Sequence, residues 1–191
     1  MNITTAEFVK GIIGTDPILE GRIPHVAFVG RSNAGKSSVI NTLTGRKTLV
    51  KASTTPGKTQ EINFFLVNGE RYFVDLPGYG FAKIPEKKRE KLRKMMIWYL
   101  VDAGVKPAAV ALIVDANVGV TPLDRDMLDI LRENHHRVIL VANKIDKAKQ
   151  SVRYRLKKEL SITAGIPDYD IVPFSAKTGE GRDMLLRLIL S

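Results

Sequence analysis

Eight consecutive residues, Gly30-Arg-Ser-Asn-Ala-Gly-Lys-Ser37, constrain this chain more than any other stretch. They follow His25-Val-Ala-Phe-Val29, an apolar run that reads as a buried strand, and they open Lys36 to Leu43, which reads as a helix. The glycines allow a tight turn in which successive backbone N–H groups converge on an anion. The helix N-terminus adds its own partial positive charge. A strand, a GxxxxGK[ST] loop and a helix form a phosphate cradle, with Gly30, Arg31, Ser32, Asn33, Ala34 and Gly35 along the loop. Lys36 is expected on the β- and γ-phosphates of a nucleotide, and Ser37 on its Mg²⁺.

The rest of the chain alternates in the same way. Ile62 to Val67 and Arg71 to Val74 flank Asn68-Gly69, a hairpin turn pair. Ala108 to Val114 and Val138 to Ala142 are near-continuous apolar runs, as parallel strands covered on both faces require, and Asp170 to Phe174 is a last short strand. Glu86 to Asp102, Leu123 to Asn134, Val152 to Leu160 and Arg182 to Leu190 read as helices. The expectation is an α/β fold of three layers, with a mostly parallel six-stranded sheet and one antiparallel edge strand. One domain over residues 1–191 suffices, with a short N-terminal extension at about 1–22. Ligands of such sheets sit beyond the carboxyl ends of the strands.

Three further motifs fall at those ends. Asp75-Leu76-Pro77-Gly78 supplies a carboxylate able to hold Mg²⁺ through water, and a Gly78 amide able to sense a γ-phosphate. Asn143-Lys144-Ile-Asp146 supplies a carboxylate that can accept both the N1–H and the 2-amino protons of guanine. Adenine would leave Asp146 facing a lone pair. Lys144 can lay its stem over the base, and Asn143 can brace the phosphate loop. Phe174-Ser175-Ala176 closes the set, the Ala176 N–H being placed for the guanine 6-oxo group. The ligand expected is therefore GTP or GDP with Mg²⁺. A Mg²⁺-seeking switch threonine has three candidates on spacing alone: Thr54, Thr55 and Thr59.

These four motifs, in this order, resemble the translation-factor-related P-loop GTPases, which share a Ras-like domain. Gly30 to Ser37, Thr55-Pro-Gly-Lys-Thr-Gln60, Ile62-Asn-Phe-Phe65 and Asp75-Leu-Pro-Gly-Tyr-Gly80 together resemble the EngB family of bacterial GTPases over nearly the whole chain. The resemblance implies a GTP-hydrolysing switch acting in assembly of the large ribosomal subunit, and so in cell growth and division. It selects Thr59 as the switch threonine, with Gly57, Lys58, Gln60 and Glu61 beside the nucleotide. It also likens Asn33 to a P-loop asparagine that binds a monovalent cation, so K⁺ is a candidate cofactor. Tyr79 occupies the position where many GTPases carry a water-orienting glutamine, so intrinsic turnover is expected to be slow. Lys36, Thr59, Gly78 and Asn33 are the expected catalytic group. The competing reading is a GTP-dependent adaptor that binds RNA or ribosomal particles without needing hydrolysis.

Charge narrows the partners. The formal net charge of +10 favours polyanions. Lys83 to Lys94 and Arg153 to Lys158 concentrate the cations, the first directly after the Gly78 segment. Solvated helix faces with Glu–Lys pairs account for part of this, and the ribosomal large-subunit precursor and its rRNA account for the rest on the family resemblance. Zero cysteines exclude a disulfide scaffold and a thiolate metal site, and fit a reducing cytoplasm. No secretory signal, membrane span or lipid site is read, and a cytoplasmic monomer is expected. His25, His135 and His136 read as structural or surface residues, and Trp98 as core.

Overall fold

The computed structural model describes residues 2–50, 61–80 and 84–190. Its strands are β1 (Ala6–Ile12), β2 (His25–Gly30), β3 (Ile62–Val67), β4 (Arg71–Asp75), β5 (Ala109–Asp115), β6 (Val138–Asn143) and β7 (Ile171–Pro173). The helices are α1 (Lys36–Thr44), α2 (Glu86–Val101), α3 (Pro122–Glu133), α4 (Gln150–Ala164) and α5 (Arg182–Leu190). The strands form one sheet in the order β1-β3-β4-β2-β5-β6-β7.

Alternation within β2 shows how the sheet is clothed. Ala27 and Val29 face a core with Leu92, Met96 and Tyr99 of α2, Met127 and Leu131 of α3, and Leu160 of α4. Val26 and Phe28 face the opposite core, with Val39, Ile40 and Leu43 of α1 and Leu185, Leu186 and Ile189 of α5. Both faces of β2, β5 and β6 are therefore dry, which is why these strands read as unbroken apolar runs. Trp98 is half-buried against the first core, as expected.

The fold class is the expected one, and the strand count is corrected from six to seven. The additional strand is β1, inside the stretch read as an extension. It pairs antiparallel with β3, so the hairpin strand β3 lies one place in from the edge. The register of β1 shifts between Phe8 and Lys10, and Phe8 and Val9 are exposed. An irregular pairing breaks the period-two pattern by which a strand is recognised.

The parallel strands all end on one side. The segments following β2, β4, β5, β6 and β7 meet there, and they carry the four motifs.

Candidate functional site

The phosphate loop is built where β2 runs out of room. A Cβ on Gly30 would lie 2.6 Å from the Ile113 carbonyl oxygen of β5, so only glycine fits. Asn33 and Gly35 both have left-handed backbone, at φ 68° and 97°, which turns the chain back into α1. A Cβ on Gly35 would also collide with the Asn143 carboxamide. The loop is thus shaped by β5 on one side and by the Asn143 motif on the other.

Asn143 is buried, and it holds two loops together. Its Nδ2 donates to the Ala34 carbonyl at 2.9 Å, and its Oδ1 accepts from the Ala176 N–H at 3.2 Å. Lys144, at φ 66°, reaches back over the site, donating from Nζ to the Asn33 carbonyl at 2.7 Å and to Asp115 Oδ2 at 2.8 Å. Asp146 Oδ1 accepts from Ser175 Oγ at 2.6 Å. That hydrogen bond holds the Asp146 carboxyl below the usual carboxylate range. Phe174 is buried and accepts from the Ile145 N–H at 3.0 Å, fixing the last loop to the aspartate turn. Gly35, Ser38, Asn143, Lys144, Asp146, Lys147, Ala176 and Lys177 line an open pocket of about 320 Å³.

Beside it, the buried Lys36 ammonium pairs with Asp75 Oδ1. Asp75 is fully buried, and its Oδ2 has no hydrogen-bond partner among the described residues. A buried carboxylate oxygen left this way is a ready acceptor for a cation or its water shell. Ser37 is half-buried one residue beyond Lys36. This donor set fits Mg²⁺, which takes few protein oxygens and relies on phosphate and water for the rest. Among the described residues there is no cluster of three carboxylate or imidazole groups, so a metal held wholly by such groups is not built here.

Leu76 and Pro77 are buried and Gly78 is half-buried, at the mouth of β4. Tyr79 does not enter the site. Its ring is buried, and its hydroxyl donates to Asp124 Oδ1 at 2.8 Å. Burial and the Asp124 charge push the phenol far up, so it stays protonated. Arg31, placed along the phosphate loop from the sequence, has its Nε 3.3 Å from Asp124 Oδ2. Glu61 is exposed at the start of β3, its carboxylate against Gly11 of β1. Thr59, Gly57, Lys58 and Gln60 lie outside the described residues.

Two acidic residues escaped the sequence reading. Asp115, at the end of β5, is pushed up by burial, but hydrogen bonds from Lys144 and Asn117 outweigh this and hold it below its usual range. Its position at a strand end was the available signal. For Asp124 the available signal was its place three residues after Thr121, the spacing of a capping box. None of the three histidines joins the site: His25 is buried with Nδ1 2.9 Å from the Tyr99 hydroxyl, His136 meets the Leu100 carbonyl, and His135 is exposed.

A family model described as 50S ribosome-binding GTPase matches residues 25–144. A second, described as elongation factor Tu GTP binding domain, matches residues 101–191. The probable GTP-binding protein EngB of Desulforamulus reducens is 41% identical over 196 residues, covering 99% of this chain and 93% of the relative. A crystal structure of a probable GTP-binding protein EngB superposes with a TM-score of 0.73 at 26% identity, covering 87% of this chain and 96% of that one. Era in complex with MgGDPNP and nucleotides 1506-1542 of 16S ribosomal RNA superposes with a TM-score of 0.70 at 26% identity, covering 88% of this chain and 56% of that one. The chain belongs to the EngB family of P-loop GTPases, and it binds guanine nucleotide and hydrolyses GTP.

Proposed function

We propose that this GTPase is a slow molecular switch acting on the large ribosomal subunit while it assembles, and through it on cell growth and division. The observation that carries the reading is the position of α2. It begins six residues after Gly80 and carries exposed Lys87, Arg89, Lys91, Arg93 and Lys94. Only Arg89–Glu86 and Lys94–Glu90 ion pairs are recorded along it among the described residues. A polyanion bound to this face lies next to the segment that responds to nucleotide, so its affinity and the nucleotide state are linked. The family description names the 50S subunit, and Era is seen with ribosomal RNA, which makes rRNA the favoured polyanion.

In the nucleotide site, Lys36 would hold the β- and γ-phosphates, Asp146 would read guanine, and the Gly78 amide would meet the γ-phosphate. Ser37, Asp75 and Thr59 would hold Mg²⁺, which supplies charge neutralisation to the phosphates when bound. With Tyr79 tied to Asp124, the side chain after Gly78 does not orient a water, and intrinsic turnover is slow. Asn33 is exposed, and its carboxamide oxygen is a ligand type suited to K⁺. Faster turnover in KCl than in NaCl at equal ionic strength tests that cofactor; equal rates would remove it.

Among the described residues no helix is long and apolar enough to cross a membrane. The same reading puts the chain in the cytoplasm as a single-domain monomer. Sedimentation with large-subunit particles, titrated with salt in the presence of a GTP analogue or GDP, tests the partner. Binding should fall steeply with salt and differ between nucleotides, and Lys87→Glu with Lys91→Glu should weaken it. Binding indifferent to both would contradict the reading.

A further inference from the structure

Asp124 is fully buried and meets groups from three separate segments. Its Oδ1 accepts from the Tyr79 hydroxyl at 2.8 Å. Its Oδ2 accepts from Thr121 N and Oγ1 at 2.9 and 2.6 Å, and lies 3.3 Å from Arg31 Nε. The Thr121 contacts close a capping box at the start of α3. Capping alone does not need burial, since such carboxylates work at the surface, and a buried carboxylate is costly without this many partners. The two remaining contacts go to the phosphate loop and to the residue after Gly78.

Backbone geometry ties the same three segments. Beyond the β2–β4 pairing, Arg31 and Tyr79 form a parallel bridge, one residue past the end of β2 and four past the end of β4. The Ser32 N–H donates to the Tyr79 carbonyl at 2.8 Å, and the Tyr79 N–H to the Gly30 carbonyl at 3.4 Å. The next residue, Gly80, comes so close to α3 that a Cβ there would lie 3.0 Å from Leu123 Cδ1. Tyr79 is thus held through its backbone to the phosphate loop and through its side chain to α3, with Gly78 immediately before it.

We infer that Asp124 is a positioning residue for γ-phosphate recognition: by anchoring Tyr79 and Arg31 it sets where the Gly78 amide stands relative to the phosphate loop. This rests on the reading of Gly78 as the γ-phosphate contact. GDP makes no use of that amide, whereas GTP does. Loosening the anchor therefore weakens GTP while sparing GDP. It also makes α3 a third element, beside the two motif loops, that feels which nucleotide is bound.

The test measures affinities for GDP and for a non-hydrolysable GTP analogue, with thermal denaturation, in wild type, Tyr79→Phe, Asp124→Asn and Gly78→Pro. Tyr79→Phe removes one hydroxyl from a buried ring and keeps the packing, so it remains informative if Asp124→Asn fails to fold. The preference for the GTP analogue over GDP should fall about tenfold in Tyr79→Phe, with GDP affinity held within about twofold, since one hydrogen bond to a charged group is lost. A lower melting temperature with an unchanged preference would overturn the inference and leave Asp124 a structural cap. Gly78→Pro, which removes the amide hydrogen, separates the two levels. If it leaves the preference intact, the reading of Gly78 fails and the inference with it. If it lowers the preference while Tyr79→Phe does not, only the anchor fails.

Discussion

Ser175 Oγ donates to Asp146 Oδ1 at 2.6 Å, so a serine of the last loop holds a carboxylate that lines the open pocket. Ser175 is itself fully buried, and its hydroxyl oxygen accepts from the Thr178 N–H at 3.2 Å, which leaves the side chain no second pose. The carboxylate proposed to read the base is therefore aimed from outside its own motif.

Ser175→Ala should weaken both GTP and GDP about five- to tenfold without admitting ATP, because it frees Asp146 without changing its chemistry. Asp146→Asn should act differently. A carboxamide offers one donor and one acceptor, which complements xanthine, whose 2-position carries an oxygen, and not guanine. Competition with xanthine and guanine nucleotides separates the two variants.

The buried Asn143 carboxamide joins the phosphate loop at Ala34 to the last loop at Ala176. Asn143→Ala leaves the Ala34 carbonyl and the Ala176 N–H without that partner, at a cost of about 1–3 kcal/mol in unfolding free energy. Chemical denaturation should show this loss, and nucleotide binding should fall with it. Asn143→Asp should be as damaging, since a carboxylate cannot donate to the Ala34 carbonyl.

His25 carries a pH prediction. Burial lowers its pKa from 6.5 to about 4, with its ring against Phe64, Tyr72 and Tyr99. The unfolded chain then binds the proton more readily than the folded one. Stability is complete above the unfolded value and is lost as pH falls through the window down to about 4, by about 3 kcal/mol over the window. Urea midpoints at several pH values check this. In His25→Gln that share of the slope should vanish, leaving only the contribution of carboxylates such as Asp115 and Asp146.

Most of the described part of the candidate site was legible as a place in the fold because it sits at strand ends in contiguous motifs. The loop from Gly30 to Ser37, the Asp75 segment and the Asn143 motif each declare their own turn and their own chemistry. Helix boundaries were close but not always right: α4 was expected from Val152 to Leu160, yet it spans Gln150–Ala164 and stops at the left-handed Gly165, a local stop signal that the periodic pattern outran. What escaped depends on distance along the chain. Arg31, Tyr79 and Asp124 meet only after β2, β4 and α3 are packed, and no spacing rule encodes that meeting. The strand β1 escaped because its pairing is irregular and only its end residues, Ala6 and Ile12, are buried.

The proposed function stands on a guanine-specific nucleotide site read by Asp146. Equilibrium binding of fluorescent GTP, GDP and ATP analogues with Mg²⁺, to wild type and to Asp146→Ala, tests it most directly. Wild type is expected to bind both guanine analogues and not ATP, and Asp146→Ala to lose the guanine nucleotides while keeping its fold. Equal affinity for ATP, or guanine binding untouched in Asp146→Ala, would contradict it.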